Sequence, residues 1–171
     1  MNWTRYSPEE DAMPVPQMQN IFQIAYVTND IDRAGAVLHD QFGCGDVHVM
    51  RDLPNALTDI GLCFSGTTNY ELLEPLNPSG DFYSDWVAGA EGFVMRFHHL
   101  GMLVDSKEEL AKIRDSLLAN GYSLPLDASM PGHLDVLYAD ARSSLGHYLE
   151  YIFLEEGGRQ MFASVPGNFV R

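Results

Sequence analysis

Phe22-Gln23-Ile24-Ala25-Tyr26-Val27, followed by Asp30, returns later in the chain as His98-His99-Leu100-Gly101-Met102-Leu103, followed by Asp105. Each copy reads as a short strand that opens a helix. Downstream of each, at nearly equal intervals, lies another strand-like run holding one carboxylate. These are Glu71 in Tyr70-Glu71-Leu72-Leu73 and Glu150 in Tyr148-Leu149-Glu150-Tyr151-Ile152. Self-similarity of this kind predicts two equivalent halves related by a pseudo-twofold axis. It also sets Gln23, Glu71, His99 and Glu150 at corresponding points of the repeat.

Working outward, the first unit reads as strand 21–28, helix 31–41 and strands 45–51, 59–65 and 69–75. Asn29-Asp30 supplies a helix N-cap. Ile31, Ala34, Val37 and Leu38 form one apolar stripe at helical spacing, and Gly43 and Gly45 end it. The second unit repeats the plan. Strand 97–104 leads to Ser106-Lys107-Glu108-Glu109, which fits a capping box. Leu110, Ile113, Leu117 and Leu118 mark a helix closed by Asn120-Gly121. Strands at 122–126, 134–139 and 147–154 complete it. The fold class expected is therefore α+β, with two βαβββ units (21–76 and 97–155) forming a half-barrel cleft within one domain, 21–155.

Residues 1–20, with three prolines, read as an N-terminal arm, and 156–171 as a C-terminal tail. The linker 77–96 carries Phe82, Trp86 and Val87 at helical spacing. A short helix there would anchor the linker, its aromatics serving as packing, or else cover the cleft.

Alternation along a strand puts Gln23 and Ala25 on one face, with Phe22, Ile24 and Tyr26 on the other, against the helix. His99, Gly101, Glu71, Leu73, Tyr148, Glu150 and Ile152 follow Gln23 onto the cleft face. Two carboxylates among leucines and tyrosines are costly to bury without a positive partner. No Lys or Arg lies on those two strands, so a bound cation is the economical partner.

Ten basic against 24 acidic residues give a net charge of −14. That argues against nucleic acid, whose phosphates need a basic footprint, and against anionic membrane surfaces. A chain of 171 residues is about one domain's worth, and no apolar run approaches the ~18 residues of a membrane helix. The first residues lack a basic start followed by an apolar stretch, so a cytoplasmic location is expected. Cys44 and Cys63 stand in no paired spacing and are expected to be free thiols.

The segments Gln23-Ile24-Ala25-Tyr26-Val27 through Asp30, Glu71-Leu72-Leu73-Glu74-Pro75-Leu76, His98-His99-Leu100-Gly101 and Gly146-His147-Tyr148-Leu149-Glu150 resemble the vicinal oxygen chelate superfamily. That group contains glyoxalase I, methylmalonyl-CoA epimerase, extradiol dioxygenases, and fosfomycin and bleomycin resistance proteins. The resemblance covers residues 20–155 or so. It implies one divalent metal ion, bound by a residue from the first and last strand of each unit: here Gln23, Glu71, His99 and Glu150. Such an oxygen- and nitrogen-donor set suits Zn, Ni, Co, Mn or Fe, with zinc favoured. Gln/Glu/His/Glu is similar to the set of one branch of zinc glyoxalase I, whereas extradiol dioxygenases use two histidines and one carboxylate. The segment 71–76 and the linker look more like the epimerase branch. Each residue alone also fits a hydrogen-bonded strand position, a satisfied core imidazole or a rim carboxylate. Their equivalence in the repeat is what favours a metal site.

What the resemblance implies for function is proton transfer next to a carbonyl, on a small substrate that chelates the metal through oxygens, in a metal-dependent lyase or isomerase of glyoxalase or epimerase type. Glu150 is the first candidate base, with Glu71 on the opposite side. Arg142 is a candidate grip on a substrate carboxylate or phosphate, or else the partner of Asp140 in a structural ion pair. Tyr148 is a candidate donor to a bound oxyanion. His98 and His147, each out of phase with the ligand on its strand, are expected to face away. The rivals are a non-catalytic protein that sequesters a small molecule in the same cleft, and an extradiol-type dioxygenase. A homodimer is compatible with the resemblance.

Overall fold

The computed structural model describes residues 18–54, 56–77 and 82–167. The expected N-terminal arm therefore lies outside the described residues up to position 17. The first unit comprises β1 (Ile21–Thr28), α1 (Ile31–Phe42), β2 (His48–Met50), β3 (Thr58–Ser65) and β4 (Thr68–Pro75). The second comprises β5 (Met95–Leu103), α2 (Lys107–Ala119), β6 (Leu126–Met130), β7 (Leu134–Asp140), the short α3 (Arg142–Leu145) and β8 (Tyr148–Leu154), and α4 (Glu156–Ser164) follows. The eight strands form one mixed sheet in the order β2-β3-β4-β1-β5-β8-β7-β6, which reads the same way outward from its centre. In each unit the first strand runs parallel to the last, β1 with β4 and β5 with β8, and the two units join through antiparallel β1 and β5. The result is the expected half-barrel of two βαβββ units.

Local chemistry fixes both helix starts. Asp30 accepts a hydrogen bond from the Arg33 amide at 2.9 Å, and Glu74 of β4 reaches across to accept from the Ile31 amide at 2.9 Å. Two carboxylate oxygens thus meet the positive end of α1. At α2, Ser106 accepts from the Glu109 amide at 3.0 Å, but Glu109 accepts from Asp105 rather than from Ser106. The box is displaced by one residue. Gly43 (φ 68°) and Gly121 (φ 81°) close the helices in left-handed geometry.

One face of the sheet packs against the helices. Ile31, Ala34 and Leu38 meet Leu72, Cys63 and Tyr26 beneath α1, and Leu110 and Leu117 meet Leu149 and Tyr151 beneath α2. Cys44 and Cys63 are free, buried thiols on the α1 side. The other, concave face is covered by chain of its own. Within the expected tail, Glu156–Ser164 form α4, whose Phe162, with Val165 just after it, packs on Leu62 and Phe64, and residues 168–171 lie outside the described residues. The linker's helical element is only a 3-10 turn, Ser84–Trp86. Its neighbours Tyr83 and Phe82, with Trp86, pack on Val27 and Leu73, so the linker covers the cleft as well as anchoring itself.

Alternation breaks twice where the units meet. Ile21 pairs with Met102 and Gln23 with Gly101, which leaves Phe22 as an extra residue in β1. Ala25 pairs with His99 and Tyr26 with Phe97, which leaves His98 as an extra residue in β5. These β-bulges occupy equivalent positions of the repeat, each just before the residue nearest the axis. A bulge lets consecutive side chains share one face. Phe22 therefore turns away from its expected place against the helix and meets Phe162 edge-on, ring centroids 5.6 Å apart. The strand expected at 122–126 begins instead at Leu126. Tyr122 and Leu124 pack against the α2 core as extended connection, and the edge strand β6 is largely exposed.

Phe162 is 8% exposed, so Phe162→Ala is expected to destabilise the protein by about 3–5 kcal/mol. Urea unfolding followed by circular dichroism measures this. A loss near zero would mean that α4 does not hold to the concave face.

Candidate metal centre

The axis between the units runs past four side chains. β1 supplies Gln23, β4 Glu71, β5 His99 and β8 Glu150, all on the concave face as alternation requires. His99 Nε2 lies 3.3 Å from Glu71 Oε2 and 3.1 Å from Glu150 Oε2. One ligand atom from each of these three residues lies within 4.8 Å of the others. A single N–H on Nε2 cannot align with two carboxylates, and neither Glu71 Oε2 nor Glu150 Oε2 receives a well-formed hydrogen bond. Gln23 Oε1 is likewise buried and without a partner. The structure thus brings all four expected ligand residues together.

Gly101 makes the convergence sterically feasible. A Cβ there would stand 2.5 Å from Gln23 Oε1, 2.9 Å from Gln23 Cβ and 3.1 Å from Glu150 Oε2. The missing side chain is the space in which Gln23 and Glu150 approach each other. The direction of the Gln23 amide is also fixed. The Cys63 carbonyl can only accept, so Asn69 donates to it through Nδ2 at 3.1 Å. Asn69 Oδ1 then accepts from Gln23 Nε2 at 3.0 Å, and Gln23 Oε1 is left pointing at the centre. Asn69 did not stand out in the sequence, because a mid-strand asparagine carries no motif.

Burial lowers the His99 pKa, but Glu150 and then Glu71 outweigh it and push it up to about 9. Burial raises the Glu71 pKa, with His99 opposing. An imidazolium is thus the positive group that lets two carboxylates lie together here. Removing its proton frees Nε2 as a ligand atom, and a divalent cation can then take over the same charge balance. Orphaned oxygens, a cradle that a Cβ would fill and a hard-to-borderline donor set all fit such an ion.

His98 does not face away. The bulge turns it onto the concave side, where its Nδ1 lies 2.8 Å from His99 Nδ1. Burial first, and then the charge on His99, push its pKa down to about 2. Its ring sits 4.8 Å from that of Tyr148, 5.1 Å from Tyr83 and 5.2 Å from Trp86. His147, as expected, is out of phase and stacks near Phe97. A tyrosine overlooked in the sequence also reaches the centre. Tyr138 pairs with Glu150 across β7 and β8, and its hydroxyl lies 3.4 Å from His99 Nε2 and 3.5 Å from the Tyr83 hydroxyl, which donates to it. Burial, followed by the Glu150 charge, raises its pKa well above 10 and keeps it a neutral phenol. Nothing in the sequence sets it apart, because its place opposite Glu150 comes from strand pairing.

Of the two candidate substrate residues, Tyr148 pairs with His99 across β5 and β8, and Arg142 is engaged with Asp140. Arg142 forms a two-pronged pair with Asp140, at 2.9 and 2.7 Å, and stacks 4.8 Å over the Tyr148 ring. Tyr148 is 2% exposed and packs among His98, Trp86 and Phe82.

Residues 22–138 match the family model described as Glyoxalase/Bleomycin resistance protein/Dioxygenase superfamily. The chain belongs to that superfamily. Similar solved structures include a hypothetical protein from Bacillus halodurans, 21% identical, covering 80% of this chain and 94% of that one at a TM-score of 0.61. A methylmalonyl-CoA epimerase from Mycobacterium tuberculosis is 15% identical over 89% of this chain and 99% of its own, at 0.62. Another, from Streptomyces coelicolor in complex with 2-nitronate-propionyl-CoA, is 16% identical over 81% and 99%, at 0.62. At these identities the likeness is one of fold. No curated protein matches the sequence.

Gly101→Ala should displace Gln23 and cost about 1–3 kcal/mol, the usual penalty of overpacking, read from the denaturant midpoint; an unchanged midpoint would mean that the cradle is slack. In chelator-treated protein the His99 imidazole resonance should titrate near 9. A raised histidine pKa stabilises fully below its ordinary value near 6.5 and ceases to do so as pH rises through about 9, so that contribution fades above neutrality. Titration at the ordinary value would refute the ion cluster.

Proposed function

We propose that this protein is a divalent-metal-dependent enzyme of the glyoxalase and epimerase type, moving a proton at a carbon beside a carbonyl. The observation that carries the reading is the convergence of Gln23 Oε1, Glu71 Oε2 and Glu150 Oε2, all buried without hydrogen-bond partners, around His99 Nε2. Gln23, Glu71, His99 and Glu150 would hold the ion. When bound, such a cation supplies Lewis-acid stabilisation of negative charge developing on a substrate oxygen.

The chain's own groups do the rest. Glu150 and Glu71 come from opposite units and flank the centre, which suits one to remove a proton from a carbon and the other to return it on the opposite face. Burial makes the Glu71 carboxylate a stronger base than a solvated one. Tyr138, a neutral phenol beside His99 Nε2, can donate to an oxygen brought there. The rings of Phe82, Tyr83 and Trp86 exclude water from the same space. Solved structures of similar fold named as methylmalonyl-CoA epimerases favour isomerase over lyase chemistry. A sequestering role draws on those same rings, since they offer an apolar wall with no reacting group.

Metal analysis of protein purified without chelator is expected to give about one divalent ion per chain, lost in Glu150→Ala. Incubated in D₂O with methylmalonyl-CoA and a panel of other acyl thioesters, the holoprotein should exchange the α-hydrogen of at least one. Glu150→Gln should slow that exchange by about 10²–10⁴-fold. Stoichiometric metal without exchange would favour sequestration, and protein that takes up no divalent ion would overturn the proposal.

A further inference from the structure

His98 occupies the bulge of β5, and its counterpart in the other unit is Phe22. Both are turned onto the concave face, but only one carries a polar ring. Regular alternation would have sent His98 under α2, among Leu110, Leu117 and Tyr151. The bulge instead sets two consecutive imidazoles at nearly right angles, 82° between planes, with Nδ1 atoms 2.8 Å apart. Two nitrogens that close share a hydrogen, one donating and the other accepting. For His99 to present a lone pair on Nε2 to the centre, its hydrogen must reside on Nδ1, and His98 Nδ1 then accepts it.

We propose that His98 is a positioning residue that holds His99 in the Nδ1–H tautomer, aiming the Nε2 lone pair between Glu71 and Glu150 and raising the affinity of the centre for a divalent cation. The inference rests on the metal reading above. Ligating histidines commonly donate their second N–H to a carboxylate or a main-chain carbonyl. A carboxylate in this place would add a third negative charge to a buried site already holding two, at a large desolvation cost. A neutral imidazole accepts the same hydrogen and leaves the charge balance of two carboxylates and one dication intact. His98 has no exposed surface, and Tyr148, Tyr83, Trp86 and Phe82 surround its ring, so the acceptor is held in place before any ion arrives. Asn69 does the corresponding work for Gln23 in the first unit.

The test pairs two variants. In His98→Asn the side-chain oxygen stands at the same bond count from the backbone as Nδ1, so an acceptor remains. In His98→Phe the ring remains and the acceptor is lost. Titrating Zn²⁺ calorimetrically into chelator-stripped protein, His98→Phe should weaken binding by about 10–100-fold, and His98→Asn should recover most of that loss. Wild-type affinity in folded His98→Phe would overturn the proposal. Equal weakening in both variants with native near-ultraviolet circular dichroism would also overturn it, because ring packing would then be the cause. If the wild-type protein binds no Zn²⁺, the metal reading itself fails. The hydrogen bond is read separately, in ¹⁵N-histidine-labelled wild-type protein, as a trans-hydrogen-bond coupling between the two Nδ1 nuclei. Detecting that coupling supports the positioning contact, and its absence refutes it whatever the metal result.

Discussion

Two carboxylates, an imidazole and an amide oxygen meet at the seam between β1 and β5, and much of the structure serves to make that meeting tolerable. Glu71 and Glu150 would repel in a dry interior unless a positive charge stood between them. His99 supplies one as an imidazolium, and in the proposed function a dication would take its place. The seam can be this close because Gly101 has no side chain. It is held in direction by partners one layer out: Asn69, tied to the Cys63 carbonyl, for the amide, and His98 for the imidazole. The helices on the far face and the rings on the near face supply the apolar surroundings that give these charges their strength.

The symmetry that builds the centre is also broken there. Leu62 sits opposite Glu71 on β3, whereas Tyr138 sits opposite Glu150 on β7. The bulge residue is Phe22 in one unit and His98 in the other. The second unit therefore contributes His98, His99, Tyr138 and Glu150 to the centre, and the first contributes one carboxylate, Glu71, with two amides and apolar wall. A duplicated scaffold thus offers two chemically distinct approaches to one centre, which a reaction that handles the two faces of a carbon differently requires.

The halves were legible because strand alternation and helix caps are local, and local signals survive in a sequence. Asp30, Gly43, Ser106 and Gly121 each marked a boundary through their own backbone preferences. The four donors were legible because the repeat tied them to equivalent positions. What could not be read is what depends on pairing between distant strands. The bulges exist only in the register of β1 against β5, and simple alternation along either strand puts Phe22 and His98 on the wrong face. Tyr138 gains its meaning from lying across from Glu150, and Asn69 from lying beside Gln23. The edge strand β6 carries no alternating apolar pattern, and α4 is amphipathic only with respect to a face that its own docking covers.

The concave side is lined by the protein's own rings, and His99 and His98 have no exposed surface at all. Any molecule that comes to the centre exchanges places with aromatic surface already at home there. Its apparent affinity is then a difference between two burials, the guest's and that of the displaced rings. Selectivity at such a centre is set as much by how well a guest replaces Phe82, Tyr83 and Trp86 against the sheet as by the atoms it presents to the charged groups beneath.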